Sequence, residues 1–294
     1  MKNFYCLVFF LLLPLISNAQ YSANDLFRMG EAAMNNRDYN EAINRFSEHI
    51  AILPNSSLGY DRRGTAYMML KKYDDALKDY TAAIQIDQNF AKARTNRGIL
   101  RTITGDYEAA IFDLSRAISL DPSNSNIYVY RGTAYIKSGN QNSGMADFNR
   151  AITLDPNNAD AYRNRGVIYF LLQDEKQALA DLNTAVELEP TNFQCYFDRG
   201  TFFYNVGDNT EALKDYDKAM ELHKTNSEVY YRRGFVYKDL KKYTEALKDF
   251  QTAVDLNPEY KNTLEPEIRQ LKELIKKKIF IFFFFSFTFY FFFL

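Results

Sequence analysis

Arginine stands at positions 63, 97, 131, 165, 199 and 233, and aspartate at 79, 113, 147, 181, 215 and 249. Both series advance by 34 residues, and each aspartate follows its arginine by 16. Two kinds of chemistry suit such a pattern. Unpaired, the arginines form a basic stripe for phosphate or another anion; paired, each guanidinium matches a carboxylate through two parallel N–H···O bonds. Where the same frame reaches back toward residue 23, both types are missing together, replaced by Met29 and Arg45. That joint loss favours pairing within one copy: Arg63–Asp79, Arg97–Asp113, Arg131–Asp147, Arg165–Asp181, Arg199–Asp215 and Arg233–Asp249. The ladder is read as architecture rather than as an anion site.

Little else in the chain suits catalysis. Outside the periodic pattern there is no glycine-rich phosphate loop, nucleophile elbow, metal cluster or pair of catalytic carboxylates. His49 and His223 lie far apart in sequence, and Cys195 stands alone once Cys6 in the leader is set aside. A lone thiol and two scattered imidazoles build neither a disulfide nor a metal site. The expectation is a non-enzyme with no cofactor and no metal. With 36 basic against 37 acidic side chains, a general nucleic-acid binder is excluded, since that needs a basic surplus.

The elements that position the ladder follow from the same period. Gly30, Gly64, Gly98, Gly132, Gly166, Gly200 and Gly234 are in strict register. Placing each at position 8 gives seven repeats: 23–56, 57–90, 91–124, 125–158, 159–192, 193–226 and 227–260. Small residues recur at positions 20 and 27, letting two helices approach closely. A large apolar residue fills position 24: Phe46, Tyr80, Leu114, Phe148, Leu182, Tyr216 and Phe250. Proline at position 32 (Pro54, Pro122, Pro156, Pro190, Pro258) ends the second helix of a repeat. Gly105-Asp106, Gly139-Asn140 and Gly207-Asp208 mark turns between the two helices.

This pattern resembles the tetratricopeptide repeat family over residues 23–260. The departures are local: His49 at position 27, Gly144 at position 20, and Gln88 and Lys224 in place of proline at 32. The resemblance implies an all-α fold, a right-handed α-solenoid of helix-turn-helix repeats ending in a capping helix at 261–278. It also implies a concave groove, lined by the first helices, that binds an extended or helical peptide of another protein. Positions 2, 5, 9 and 12 share one helical face. In the later repeats that face offers Phe170, Phe197, Tyr204, Tyr231 and Phe235 as candidate groove residues. The opposing reading packs them against one another or beneath the terminal helix. The carboxylate clamp of some tetratricopeptide modules is absent, because Asn96 and Asn164 lack the lysines and asparagine that accompany it.

The two ends carry other signals. Residues 1–19, MKNFYCLVFFLLLPLISNA, have the layout of a secretory signal peptide. The expected location is accordingly the periplasm, the envelope or the medium. Residues 264–278 place Leu264, Ile268, Leu271 and Ile275 on one face, as a capping helix requires. The phenylalanine-rich tail at 279–294 is either a short membrane anchor or low-complexity DNA read as protein. The leading functional expectation is a non-catalytic scaffold in an envelope or secreted assembly. The alternative is a regulatory or sensor subunit whose catalytic chain is separate.

Overall fold

The computed structural model describes residues 21–292, and side chains through residue 281. The chain divides into two compact units between Thr104 and Gly105. The first holds α1 (Ala23–Asn35), α2 (Tyr39–Ile52), α3 (Ser57–Met69), α4 (Tyr73–Ile86) and α5 (Ala91–Thr104). The second holds α6 (Tyr107–Leu120), α7 (Ser125–Lys137), α8 (Gln141–Leu154), α9 (Ala159–Leu171) and α10 (Glu175–Leu188). It continues with α11 (Phe193–Asn205), α12 (Asn209–Leu222), α13 (Ser227–Asp239), α14 (Tyr243–Leu256), a 3-10 turn (Pro258–Tyr260) and α15 (Lys261–Phe292).

Helix boundaries follow from side chains that satisfy free backbone groups. Ser56, Asn158, Asn192 and Asn226 accept backbone N–H bonds at the start of first helices, and Asp38, Asp106, Asn140, Asp174 and Asp208 do so for second helices. Lys72 and Lys242 occupy the same place with no capping bond. Among the described residues, the residue just before each of these caps is left-handed. Glycine holds it at Gly105, Gly139 and Gly207, but Arg37, Lys71, Gln173 and Lys241 hold the same turn with φ of 57–63°. The turn is therefore set by the packing of the two helices it joins, with glycine relieving strain where present.

Position 24 forms the core of each helix pair. Phe46, Tyr80, Leu114, Tyr216 and Phe250 are fully buried, and Phe148 and Leu182 are 1% exposed. The departure at Gly144 has a local cause: a Cβ there would lie 2.5 Å from Ile136 Cδ1, so the isoleucine takes the space an alanine methyl uses elsewhere. His49 is likewise accommodated. It is buried, with its ring nitrogens 2.8 Å from Ala23 O and 2.8 Å from Ser56 Oγ.

After the last repeat, Leu264 and Leu271 of α15 are fully buried with Ala246, Phe250 and Ala253 of α14. The terminal helix covers the apolar face that α14 would otherwise show to water. α15 continues as one helix from Lys261 to Phe292.

The expectation of export, with membrane association through residues 279–294, is corrected. Among the described residues no helix is long and apolar enough to cross a membrane. The apolar part of α15 follows Lys276, Lys277 and Lys278 and extends about 21 Å, against a hydrocarbon core of about 30 Å. The proposed signal segment lies outside the described residues, and neither the described structure nor any comparison supports export.

Candidate functional site

The ladder is a set of bidentate pairs. Arg63 Nε and Nη2 donate to Asp79 at 2.7 and 2.8 Å, and Arg131 does the same to Asp147 at 2.8 and 2.8 Å. Arg165–Asp181, Arg199–Asp215 and Arg233–Asp249 repeat the geometry at 2.7–2.8 Å. The sixth expected pair divides between the units, Arg97 in the first and Asp113 in the second. Both are engaged side chains. The hydrogen bonds that Arg63 donates to Asp79 raise its pKa, and those to Asp147, Asp181 and Asp215 act likewise on Arg131, Arg165 and Arg199. Burial of the Asp249 carboxyl pushes it up despite the bond from Arg233.

Each arginine has a further bond that sequence reasoning missed. Its Nη1 donates back to position 25 of the preceding repeat: Arg63 to Ser47, Arg97 to Thr81, Arg131 to Ser115, Arg165 to Asn149, Arg199 to Asn183 and Arg233 to Asp217, at 2.6–3.1 Å. A readable signal existed, since every one of those residues is a hydrogen-bond acceptor. At Arg63, Arg131, Arg165, Arg199 and Arg233 one guanidinium thus joins the two helices of its own repeat and ties that repeat to the one before.

Aromatic rings complete the rung. Arg63 lies between Tyr60 and Tyr67, Arg131 between Tyr128 and Tyr135, and Arg165 between Tyr162 and Tyr169, with ring centroids at 5.5–6.0 Å. Arg199 and Arg233 are flanked in the same way by Tyr196 and Phe203, and by Tyr230 and Tyr237. The first ring also secures the preceding helix end: the hydroxyls of Tyr128, Tyr196 and Tyr230 donate to Pro122 O, Pro190 O and Lys224 O at 3.1–3.3 Å.

Within each unit, first helices touch the first helices of adjacent repeats through polar side chains. In the first unit, Arg62 pairs with Glu31 at 3.0 Å, and Asn96 donates to Asp61 at 2.8 Å. Asp61 is fully buried, its other oxygen has no partner, and burial raises its pKa. In the second unit, Arg163 bridges Asp160 at 3.0 Å and Asp198 at 2.7 Å, while Tyr204 donates to Asp239 at 2.9 Å.

The five candidate groove aromatics divide. Phe170 and Tyr204 are half-buried on this face, with Phe170 edge-on to Phe202 at 5.5 Å. Phe197 is only 8% exposed and packs with Tyr216 and Val229. Tyr231 stacks on Tyr260 at 4.8 Å, and Phe235 meets Phe250 edge-on at 4.9 Å. Phe197 is thus buried, whereas Tyr231 and Phe235 are half-buried, like Phe170 and Tyr204, with ring neighbours at Tyr260 and Phe250. Exposed apolar surface on the first helices of the second unit falls at Leu171 (59%) and Tyr130 (37%), at positions 13 and 6 of their repeats, next to the stripe of positions 2, 5, 9 and 12 rather than on it.

No reactive centre accompanies the face. Cys195 is buried, and burial pushes its thiol up to about 12, far from a reactive thiolate. Among the described residues no group of three or more His, Cys, Asp or Glu side chains is arranged to hold a metal.

Stacked helix-turn-helix units with filled small-residue contacts define a tetratricopeptide-repeat solenoid, an architecture of protein–protein interaction scaffolds. The tetratricopeptide repeat profile itself matches residues 227–260. The chain belongs to the family described as the ETO1 C-terminal domain, whose profile matches residues 54–234. Among solved structures, a tetratricopeptide repeat protein from Parabacteroides merdae ATCC 43184 is 20% identical, covering 85% of this chain and 98% of its own, with a TM-score of 0.66. The APC/C hetero-tetramer Cut9-Hcn1 gives a TM-score of 0.70 at 15% identity, over 85% of this chain and 48% of that one. A thermophilic tetratricopeptide protein in Thermus thermophilus, TTC0263, gives 0.57 at 20% identity, over 62% and 98% of the two chains. At these identities the likeness is one of fold. No curated protein matches by sequence.

Proposed function

We propose that the protein is a non-catalytic scaffold that holds a peptide or helix of another protein against the first helices of its second unit. The observation that carries this reading is the exposure of Leu171 (59%), on the same helix as half-buried Phe170 and Val167, and of Tyr130 (37%) on α7. The repeat cores at position 24 are already filled. An apolar surface that the fold itself does not use is a natural anchor for a partner. Phe170, Tyr204, Tyr231 and Phe235 remain part of the proposed face, whereas Phe197 supports it from beneath.

A photo-crosslinking amino acid at position 171 tests the reading against the same group at Ala180, which is exposed on a second helix. The expected result is a discrete partner adduct from position 171, abolished by Tyr130→Ala, with none from position 180. Equal adducts from both positions, or none from 171, would remove this face as the binding site.

A further inference from the structure

The terminal helix α15 is longer than the surface it covers. Leu264 and Leu271 are buried against the last repeat, but further along Ile279 (50%), Phe280 (70%) and Ile281 (47%) are all exposed. Consecutive residues of a helix point about 100° apart, so this exposure runs around most of the helix. The helical backbone continues to Phe292. The sequence from 279 to 292 holds nine phenylalanines and no charged residue. A helix that is apolar all round is one that other surfaces enclose. At about 21 Å this segment is too short for a bilayer core of about 30 Å.

The second unit also offers a face of matching character. Leu171 on α9 and Tyr130 on α7 are exposed there, with half-buried Val167 and Phe170 on α9. Leu171 and Tyr130 differ by seven positions in their repeats, about 10 Å along the helix axis, well within the length of the tail. The charges are complementary too. Arg163 serves both Asp160 and Asp198, at 3.0 and 2.7 Å, so two carboxylates share one cation. Burial, and after it the Asp160 carboxylate, raises the pKa of Tyr130, which puts the excess negative charge within reach of that ring. Lys277 and Lys278, both exposed, immediately precede the apolar end of α15.

We propose that the Leu171–Tyr130 face takes the apolar end of α15 from a second copy of this chain, exchanged reciprocally in a two-fold dimer, with Lys277 and Lys278 beside Asp160 of the other copy. The inference rests on the binding face proposed above and names its partner. A helix about 21 Å long and 10–12 Å wide presents roughly 800 Å² along its sides. Half of that, with an equal area of the face, makes about 800 Å² per contact. Reciprocal exchange doubles this to about 1,600 Å², the size of a standard stable interface, whereas one contact alone falls short of it. Exchange also closes the assembly, while one-way docking of tail into face would propagate into a filament.

Sedimentation velocity of the full chain reads the assembly, and the expected species is a dimer of twice 34.3 kDa. Leu171→Asp and Phe280→Asp change exposed residues on the two sides of the contact. Each should melt like wild type while weakening dimerisation at least about tenfold. Lys277→Glu/Lys278→Glu should weaken it about threefold at low salt, and by less when sodium chloride is added. A photo-crosslinking amino acid at position 171 of the otherwise wild-type chain gives an independent reading: its adduct should have twice the chain mass and map to residues 279–292. A monomeric wild type, a dimer that neither aspartate variant weakens, or growth without limit as concentration rises overturns the exchange. Transfer of the wild type from dimer to phosphatidylcholine vesicles, lost in Phe280→Asp, overturns the second copy as the occupant. Capture of a different protein at position 171 by a chain that sediments as a monomer leaves the face in place and removes the tail from it.

Discussion

A guanidinium whose donors are divided between two repeats makes each rung sensitive to either partner. In the fourth repeat Arg131 and Asp147 are 20% and 8% exposed, so a single deletion strands a largely desolvated charge. Arg131→Met and Asp147→Leu should each destabilise the protein, and the double variant should lose less than their sum. A coupling of about 1–3 kcal/mol is expected in urea denaturation; simple additivity would show that the pair has no energetic meaning. Asp61 gives a pH-dependent test. Burial raises its pKa, while the Asn96 bond and the charges of Arg62 and Lys92 act in the opposite sense and Glu31 adds to the rise. A raised carboxyl contributes stability that is fully present below its unfolded value of about 3.9 and is lost as pH climbs through the folded value. Asp61→Asn should therefore stabilise the protein at pH 7 by about 1–2 kcal/mol. The gain should vanish at low pH, and a gain equal at both pH values would contradict the assignment.

At the scale of the helix pair, the left-handed turn and the core aromatic make separable contributions. Gln173 holds a φ of 63°, in the left-handed region that Gly139 and Gly207 occupy freely at the equivalent place with φ of 88°. Gln173→Gly is expected to raise stability by about 0.5–1 kcal/mol, and Gly139→Ala to lower it by about 1. Thermal unfolding of the two variants should shift in opposite directions. Phe148, 1% exposed, should cost about 3–5 kcal/mol on truncation to alanine. Phe197→Ala should also be clearly destabilising, by about 2–4 kcal/mol, because the ring packs with Tyr216 at 5.9 Å. A Phe197→Ala protein that melts like wild type would return that residue to the exposed face.

At the scale of the whole molecule, stability is a sum of repeats and interfaces, so the ends of each stack matter most. The second unit ends on α15, whose Leu264 and Leu271 complete the cluster around Phe250. Deleting residues 261–294 should uncover Tyr231, Phe235 and Val254, which pack against that cluster. The expected outcome is a lower melting temperature with aggregation visible by light scattering. A truncated chain that melts and scatters like the full one would show that α14 needs no cover.

The sequence by itself determined the helices, their order and the interior of every repeat. A strict 34-residue period forces the same side chains onto the same faces, so Gly132 and Phe148 could be placed against each other before any coordinates. The within-repeat pairing of Arg63 with Asp79 was legible for the same reason, through the joint loss at Met29 and Arg45. What lies between repeats was not. The bond from Arg63 to Ser47, the burial of Asp61 against Asn96, and the stacking of Tyr231 on Tyr260 depend on how one helix pair rests on the next. Periodicity names a residue's face on its own helix but not the neighbour that covers that face. Only the tertiary structure therefore decided that Phe197 is core and that Leu171 is exposed.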